Sequence, residues 1–145
     1  MTRFLKKKII NFIVKKGNKF LSENILKKSF KHLNKNTKKQ IKMLIYIAIN
    51  NSLPTFQIEI NKKRIKKIKL IKFKPFFVLK NKNRISSSIK IIVNFSKIRN
   101  NTSFLTNLKN EFILSSKNKS GSVEEKNKIQ KQALAYQNIL TFYRW

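Results

Sequence analysis

Residues 37–60 read TKKQIKMLIYIAINNSLPTFQIEI, and the hydrophobic period changes inside them. Ile41, Leu44, Ile45, Ala48 and Ile49 recur three and four residues apart, the buried stripe of an amphipathic helix. Thr37 and Gln40 have the spacing of a capping box, so the helix is expected to begin there. Leu53-Pro54 ends it, because the proline ring pushes the residue before it into extended backbone. Beyond Pro54, Phe56, Ile58 and Ile60 alternate with Gln57 and Glu59, which is the period of a strand. The fold class turns on this change: helices with a strand excursion between them.

Downstream, residues 61–69 are basic, and Ile71 and Phe73 then alternate with Lys72 and Lys74. A β-ribbon over about 55–80 is expected, with a lysine-loaded tip and a return through Pro75. Residues 81–84 read as a polar link. Helix signals resume near residues 86–88, with Ile89, Ile92, Val93 and Ser96 on one face. Thr102 is a candidate cap for a helix carrying Leu105, Leu108 and Phe112, followed by a polar loop over residues 115–121. Ser122 and Glu125 form a second capping box, and Glu124 and Glu125 suit a positive helix N-terminus. Ile129, Ala133, Tyr136, Leu140 and Tyr143 continue that helix over about 122–145.

Upstream, Ile9, Ile10, Ile13 and Val14 share one helix face. Lys15-Lys16-Gly17 closes it, with Gly17 where a C-terminal cap wants positive φ. A second helix over about residues 18–33 carries Leu21, Ile25, Leu26, Phe30 and Leu33, with Lys27, Lys28 and Lys31 opposite, and Asn34-Lys35-Asn36 reads as a turn. The reading is mainly α: about six helices with a protruding two-stranded β-ribbon, in one domain of residues 1–145 without internal repeats.

Charge decides the partner class. The 145 residues hold 35 Lys and Arg against 5 Asp and Glu, a formal net charge of +30. Such a chain repels itself unless a polyanion neutralises it. Nucleic acid is the first candidate, because each phosphate contact releases condensed counterions; an anionic membrane surface is the second. The cations are mostly Lys, a flexible point charge, with Arg at 3, 64, 84, 99 and 144 only. Backbone and shape recognition therefore fits better than bidentate reading of bases. The preference for Lys, Asn, Ile and Phe is that of AT-rich codons, which points to an organelle or an AT-rich genome.

Chemistry beyond binding has little to work with. The carboxylates are Glu23, Glu59, Glu111, Glu124 and Glu125; cysteine is absent and His32 is the one histidine. A disulfide scaffold and a thiolate metal site are excluded, and a carboxylate metal cage has too few ligands. With two glycines there is no phosphate-cradling loop and no nucleophile elbow. No enzyme activity, metal or cofactor is expected. His32 reads as a surface or RNA-proximal residue, and Phe76, Phe77 and Tyr143 as core before base-stacking groups. The longest apolar run, residues 43–49, is far short of the roughly 20 residues that cross a bilayer. The basic N-terminus has no signal-peptide core, but its composition is compatible with a transit peptide.

Three patches resemble the small-subunit ribosomal protein S seven family. The first runs from Ile10-Asn11-Phe12-Ile13-Val14-Lys15-Lys16-Gly17-Asn18-Lys19 to Leu21, Glu23 and Ile25. The second is Ala48-Ile49-Asn50-Asn51-Ser52-Leu53-Pro54, then Lys63-Arg64-Ile65 and Pro75. The third runs from Gly121 to Tyr143-Arg144-Trp145. The chain departs from the family in having Lys66-Lys67 for a Gly-Gly, Lys90-Ile91 near an expected Arg-Trp, a slightly longer ribbon and a short basic N-terminal extension. The resemblance implies a helical domain with a protruding ribbon that binds the 3′ major (head) domain of small-subunit rRNA. It also implies that the ribbon and last helix approach the exit-site tRNA and the mRNA path, beside neighbouring ribosomal proteins.

The expected RNA-contacting cations are Lys6, Lys7, Lys8, Lys15, Lys16, Lys19, Lys62, Lys63, Arg64, Lys66, Lys67, Lys69, Lys72, Lys74, Lys82, Arg84, Lys90, Arg99 and Arg144. A solvated charged face is the plain alternative for the ribbon. A basic DNA-architecture protein of a nucleoid is the alternative function. The expected location is a mitochondrial ribosome, with the plastid as alternative, and no membrane partner or homo-oligomer is expected. Self-repulsion makes a first prediction: the free protein is soluble mainly at high salt and incompletely folded without RNA. A cooperative, salt-independent thermal melt of the isolated chain would count against it.

Overall fold

A computed structural model describes residues 3–36, 41–65, 68–99 and 103–136, giving backbone alone for 34–36, 60–65 and 68–74. Its elements run α1 (Arg3–Ile13), α2 (Lys19–Asn36), α3 (Ile41–Asn51), β1 (Phe56–Ile65), β2 (Ile68–Phe77), α4 (Asn81–Ile98), α5 (Phe104–Ser116) and α6 (Gly121–Ala135). Six helices and an antiparallel two-stranded ribbon match the expected class. The Thr37–Gln40 box, Thr102, Leu140 and Tyr143 lie outside the described residues, and the N-cap of α5 is Ser103 rather than Thr102, its Oγ accepting from Thr106 N at 3.5 Å.

The apolar stripes become the core. Ile9, Ile10 and Ile13 of α1, Leu26 of α2, and Leu44, Ile45, Ala48 and Ile49 of α3 form one cluster with Ile89, Ile92 and Val93 of α4 and Leu108 and Phe112 of α5. Helix α5 is its axis, packing on α2, α3, α4 and α6. Phe112 meets Phe30 of α2 with ring centroids 6.5 Å apart and tilted by 59°. Burying each such side chain contributes about 1.5–3 kcal/mol against leaving it in water.

Helix α2 departs from the expected stripe. Leu21 is 53% exposed, and the buried row is Ser22, Leu26, Ser29 and Leu33. The serines can be buried because Ser22 Oγ donates to Asn18 O at 3.0 Å and Ser29 Oγ to Ile25 O at 2.8 Å. Asn18 caps the helix by accepting from Leu21 N at 3.0 Å. Its approach is the left-handed pair Lys16 (φ 49) and Gly17 (φ 76), as expected for Gly17. Asn34-Lys35-Asn36 is not a turn but the end of α2.

Two further boundaries move. Residues 81–84, read as a link, are the first turn of α4, where Arg84 N donates to Lys80 O at 3.2 Å. Helix α5 continues to Ser116 and closes in a left-handed turn. Asn118 (φ 58) donates to Ser115 O at 3.1 Å and Lys119 to Leu114 O at 3.0 Å, the paired bonds of a Schellman motif. That turn delivers Ser120, not Ser122, as the N-cap of α6: Ser120 Oγ accepts from Val123 N at 3.3 Å.

Ser122 joins a buried hydroxyl cluster. Its Oγ lies 2.7 Å from Ser115, 2.8 Å from Ser120 and 3.3 Å from Ser52 at the end of α3. Its N–H donates to Oε1 of Glu111 at 3.1 Å. Glu111 is 1% exposed, and its Oε2 lies 3.9 Å from Arg99. Gly121 sits against Phe95, where an added Cβ would come within 2.7 Å of the ring. Helix α6 supplies nothing to the main cluster; its start is docked by these polar bonds together with buried Val123 and the Gly121–Phe95 contact.

The ribbon pairs Phe56 with Phe77 through to Ile65 with Ile68. Pro75 fits because each strand of a two-stranded ribbon is an edge. At the base, Phe56 and Phe77 meet edge to face at 5.0 Å, and Val78 N donates to Thr55 O at 3.0 Å. Gln57 donates to Ser87 of α4, and Gln130 of α6 to Thr55 at 3.1 Å.

Two stability predictions follow from this junction, both read by urea unfolding under circular dichroism at high salt. Glu111→Ala strands the Ser122 N–H in the interior and should cost about 2–3 kcal/mol. Arg99→Ala loses only a long, partly exposed ion pair and should cost under about 1 kcal/mol; equal costs would refute the assignment of the main role to the helix start. Ser120→Ala should cost about 1–2 kcal/mol as a lost cap, and a loss confined to Ser122→Ala would return the cap to Ser122.

Candidate nucleic-acid interface

The expected RNA-contacting cations fall in three regions of the fold. On α1, Lys6 and Lys7 are exposed, while Lys8 is half-buried with Nζ 5.8 Å from the Phe4 ring centroid. Lys15, Lys16 and Lys19 are exposed on the turn between α1 and α2. That turn is built by Gly17, so the same backbone bend that lets α2 begin also gathers three ammonium groups.

The second region is the ribbon. From Lys62 to Lys74 it carries eight cations and no acid. The register sets Glu59 opposite Lys74 and Arg64 opposite Lys69. Lys66 and Lys67 lie outside the described residues, as do the side chains of Lys62, Lys63, Arg64, Lys69, Lys72 and Lys74. Like charges directly opposed across strands are destabilising, so the distal half of the ribbon is a place where an anion is favoured.

The third region is α4 and its end. Lys82 and Lys90 are exposed. Arg84 is half-buried, and its Nε donates to Pro54 O at 3.3 Å. Its guanidinium therefore ties the foot of the ribbon to α4, a structural duty the charge pattern did not reveal. Arg99 leans on Glu111 yet keeps 40% of its side chain exposed. Arg144 lies outside the described residues.

The fold brings Lys15 and Arg99 together around a cleft of about 440 Å³ between the α1–α2 turn, α2, the end of α4 and the start of α5. Lys97, Leu21 and Phe104 line it too, and sequence reasoning singled out neither Lys97 nor Phe104 for binding. Lys97 Nζ donates to Phe12 O at 3.1 Å, which uses one of its three donors. Its signal in sequence was the Lys97-Ile98-Arg99 end of a helix, where cations suit the dipole. Asn107 holds this wall by donating to Arg99 O at 2.5 Å.

The charge of such a surface suits it to phosphates. Among the described residues no three His, Cys, Asp or Glu gather as a metal site, and no helix is long and apolar enough to cross a membrane. His32 is exposed on α2.

Comparison with known proteins agrees in extent with the whole of this fold. The model of the family described as ribosomal protein S7p/S5e matches residues 2–137. A small ribosomal subunit protein uS7 of Leptospira biflexa is 26% identical over 138 residues, covering 95% of this chain and 84% of that protein. A protein of the same name from Mycoplasma genitalium is 28% identical over 138 residues, covering 95% of this chain and 85% of its own length. With helices, ribbon and basic surfaces all inside the matched span, the chain belongs to the ribosomal protein S7p/S5e family.

Proposed function

We infer that this chain is a structural constituent of the small ribosomal subunit that binds the 3′ major (head) domain of small-subunit rRNA and helps that domain assemble. The family match over residues 2–137 carries the reading. The ribbon supports it: eight cations without an acid from Lys62 to Lys74, on an arm fastened to α4 and α6. Phosphate contact asks for cation density rather than special geometry. The role is binding and not catalysis, performed by residues 1–145 acting as one domain.

The finer parts of the proposal follow the same line. The ribbon and the C-terminal segment reach toward the exit-site tRNA and the mRNA path, beside neighbouring ribosomal proteins. The Lys-, Asn- and Ile-rich composition favours a mitochondrial ribosome, with a plastid ribosome as the alternative. A nucleoid protein would share the charge, and co-purification with DNA rather than with small subunits would favour it.

The test neutralises Lys62, Lys63, Arg64, Lys66 and Lys67 to Gln. Binding to a transcript of the 3′ major domain should weaken, and the slope of log K against log salt should become shallower by up to about 4–5. The helical circular dichroism should not change, because these positions lie outside the core stripes. Unchanged affinity and slope would mean that the ribbon faces solvent.

A further inference from the structure

The cleft beside Phe104 is more than another group of cations. Its rim carries Lys15, Lys97 and Arg99, whereas its walls include Ile13, Ile25 and Phe104. A site for phosphate alone needs no apolar walls. A site for an apolar side chain gains nothing from three cations. An unpaired nucleotide has both parts, a flat base that stacks on aromatic or aliphatic surface and a phosphate on each side. The volume of about 440 Å³ falls within the roughly 300–1,000 Å³ of small-ligand sites.

The surroundings favour the same occupant. Leu21, which lines the cleft, is 53% exposed and adds apolar surface at its edge. The wall is rigid. Ser96 Oγ donates to Ile92 O at 2.9 Å, Asn18 caps α2, and Asn107 donates to the Arg99 carbonyl. Glu111 Oε2 lies 3.9 Å from Arg99 on its buried side, too far for a hydrogen bond, and the guanidinium, with 40% of its side chain exposed, has N–H groups to offer an anion.

We propose that this cleft receives one extruded, unpaired nucleotide of the bound RNA, its base against Phe104 and the apolar wall and its flanking phosphates on Lys15, Lys97 and Arg99. The assignment rests on the RNA-binding reading above and adds to it a single-stranded contact separate from the ribbon. The ribbon contributes salt-dependent affinity. The cleft contributes register, because only a nucleotide free to leave its helix enters it.

The test uses the full chain bound to a transcript of the 3′ major domain of small-subunit rRNA. Zero-length ultraviolet crosslinking should yield one nucleotide adduct on the peptide containing Phe104, and that nucleotide should be shielded from base-directed modification. Leu21→Trp, at an exposed edge position, should crowd the cleft, remove the shielding and weaken binding roughly tenfold, with the salt slope kept. Lys15→Gln with Lys97→Gln should instead make the slope shallower by about 2. Full-affinity binding by Leu21→Trp with no base shielded at the cleft would overturn the proposal and leave the rRNA reading standing. So would a crosslink from this peptide, in assembled subunits, to another protein instead of RNA. Failure of the wild-type chain to bind the transcript at all would overturn the rRNA reading and the cleft with it.

Discussion

Glu111 sits in the interior of a chain that has seven times as many cations as acids, and its carboxylate organises what surrounds it. Burying a charge is costly unless hydrogen bonds and opposite charge replace water. Here the replacement is the N–H of Ser122 in the first turn of α6, with Arg99 at longer range. The helix start is a positive pole, so the carboxylate satisfies an orphan donor and meets a favourable field together. Four serine hydroxyls from α3, α5 and the α6 start complete the junction, and Asn51 donates to the Ser115 carbonyl at 2.9 Å.

Two of the basic surfaces adjoin that junction. Helix α6 reaches the ribbon through Gln130 and Thr55, and α4 reaches it through Arg84 and Ser87. Helix α6 adds nothing to the main apolar cluster, so on that side the polar bonds at Glu111 and the serines join buried Val123 and Ala133 in linking the helices to the ribbon. The Arg99 side of the same carboxylate is a wall of the cationic cleft. A binding surface works when its groups are held by supporting contacts. Glu111, one of five acids, lies between the start of α6, which reaches the ribbon, and Arg99 at the cleft.

Much of the fold was legible where apolar residues repeat. In the expected stripes, residues 9, 10 and 13, 44, 45, 48 and 49, and 89, 92, 93 and 96 are buried, while Val14 and Ile41 are partly buried against the same cluster. The period change at Pro54 marks the ribbon, and Gly17 has the positive φ its position suggested. Errors cluster where a polar residue takes an apolar role. Leu21 fits the α2 stripe by type, yet Ser22 is buried in its stead, because a hydroxyl that bonds the preceding turn behaves as a small, satisfied side chain. Residues 81–84 look like a link because their side chains are polar, yet Arg84 is bonded to Pro54, which lies far back in the chain.

Local pattern determined the helix count, the ribbon and the cation-rich partner class, since periodicity and net charge are sums over neighbouring residues. It located lysines without saying which of them share a site. Lys15, Lys97, Arg99 and Phe104 meet at one cleft because α1, α2, α4 and α5 pack around a common core. The capping box at Ser122 and Glu125 was sound local chemistry that lost to tertiary demand. The Schellman turn after α5 brings Ser120 to the cap, and Glu111 takes the N–H of Ser122 from 11 residues upstream. A motif within four residues can show which bonds are available, but a carboxylate buried away from solvent takes the donor nearest in space, and that distance exists only once the helices have packed.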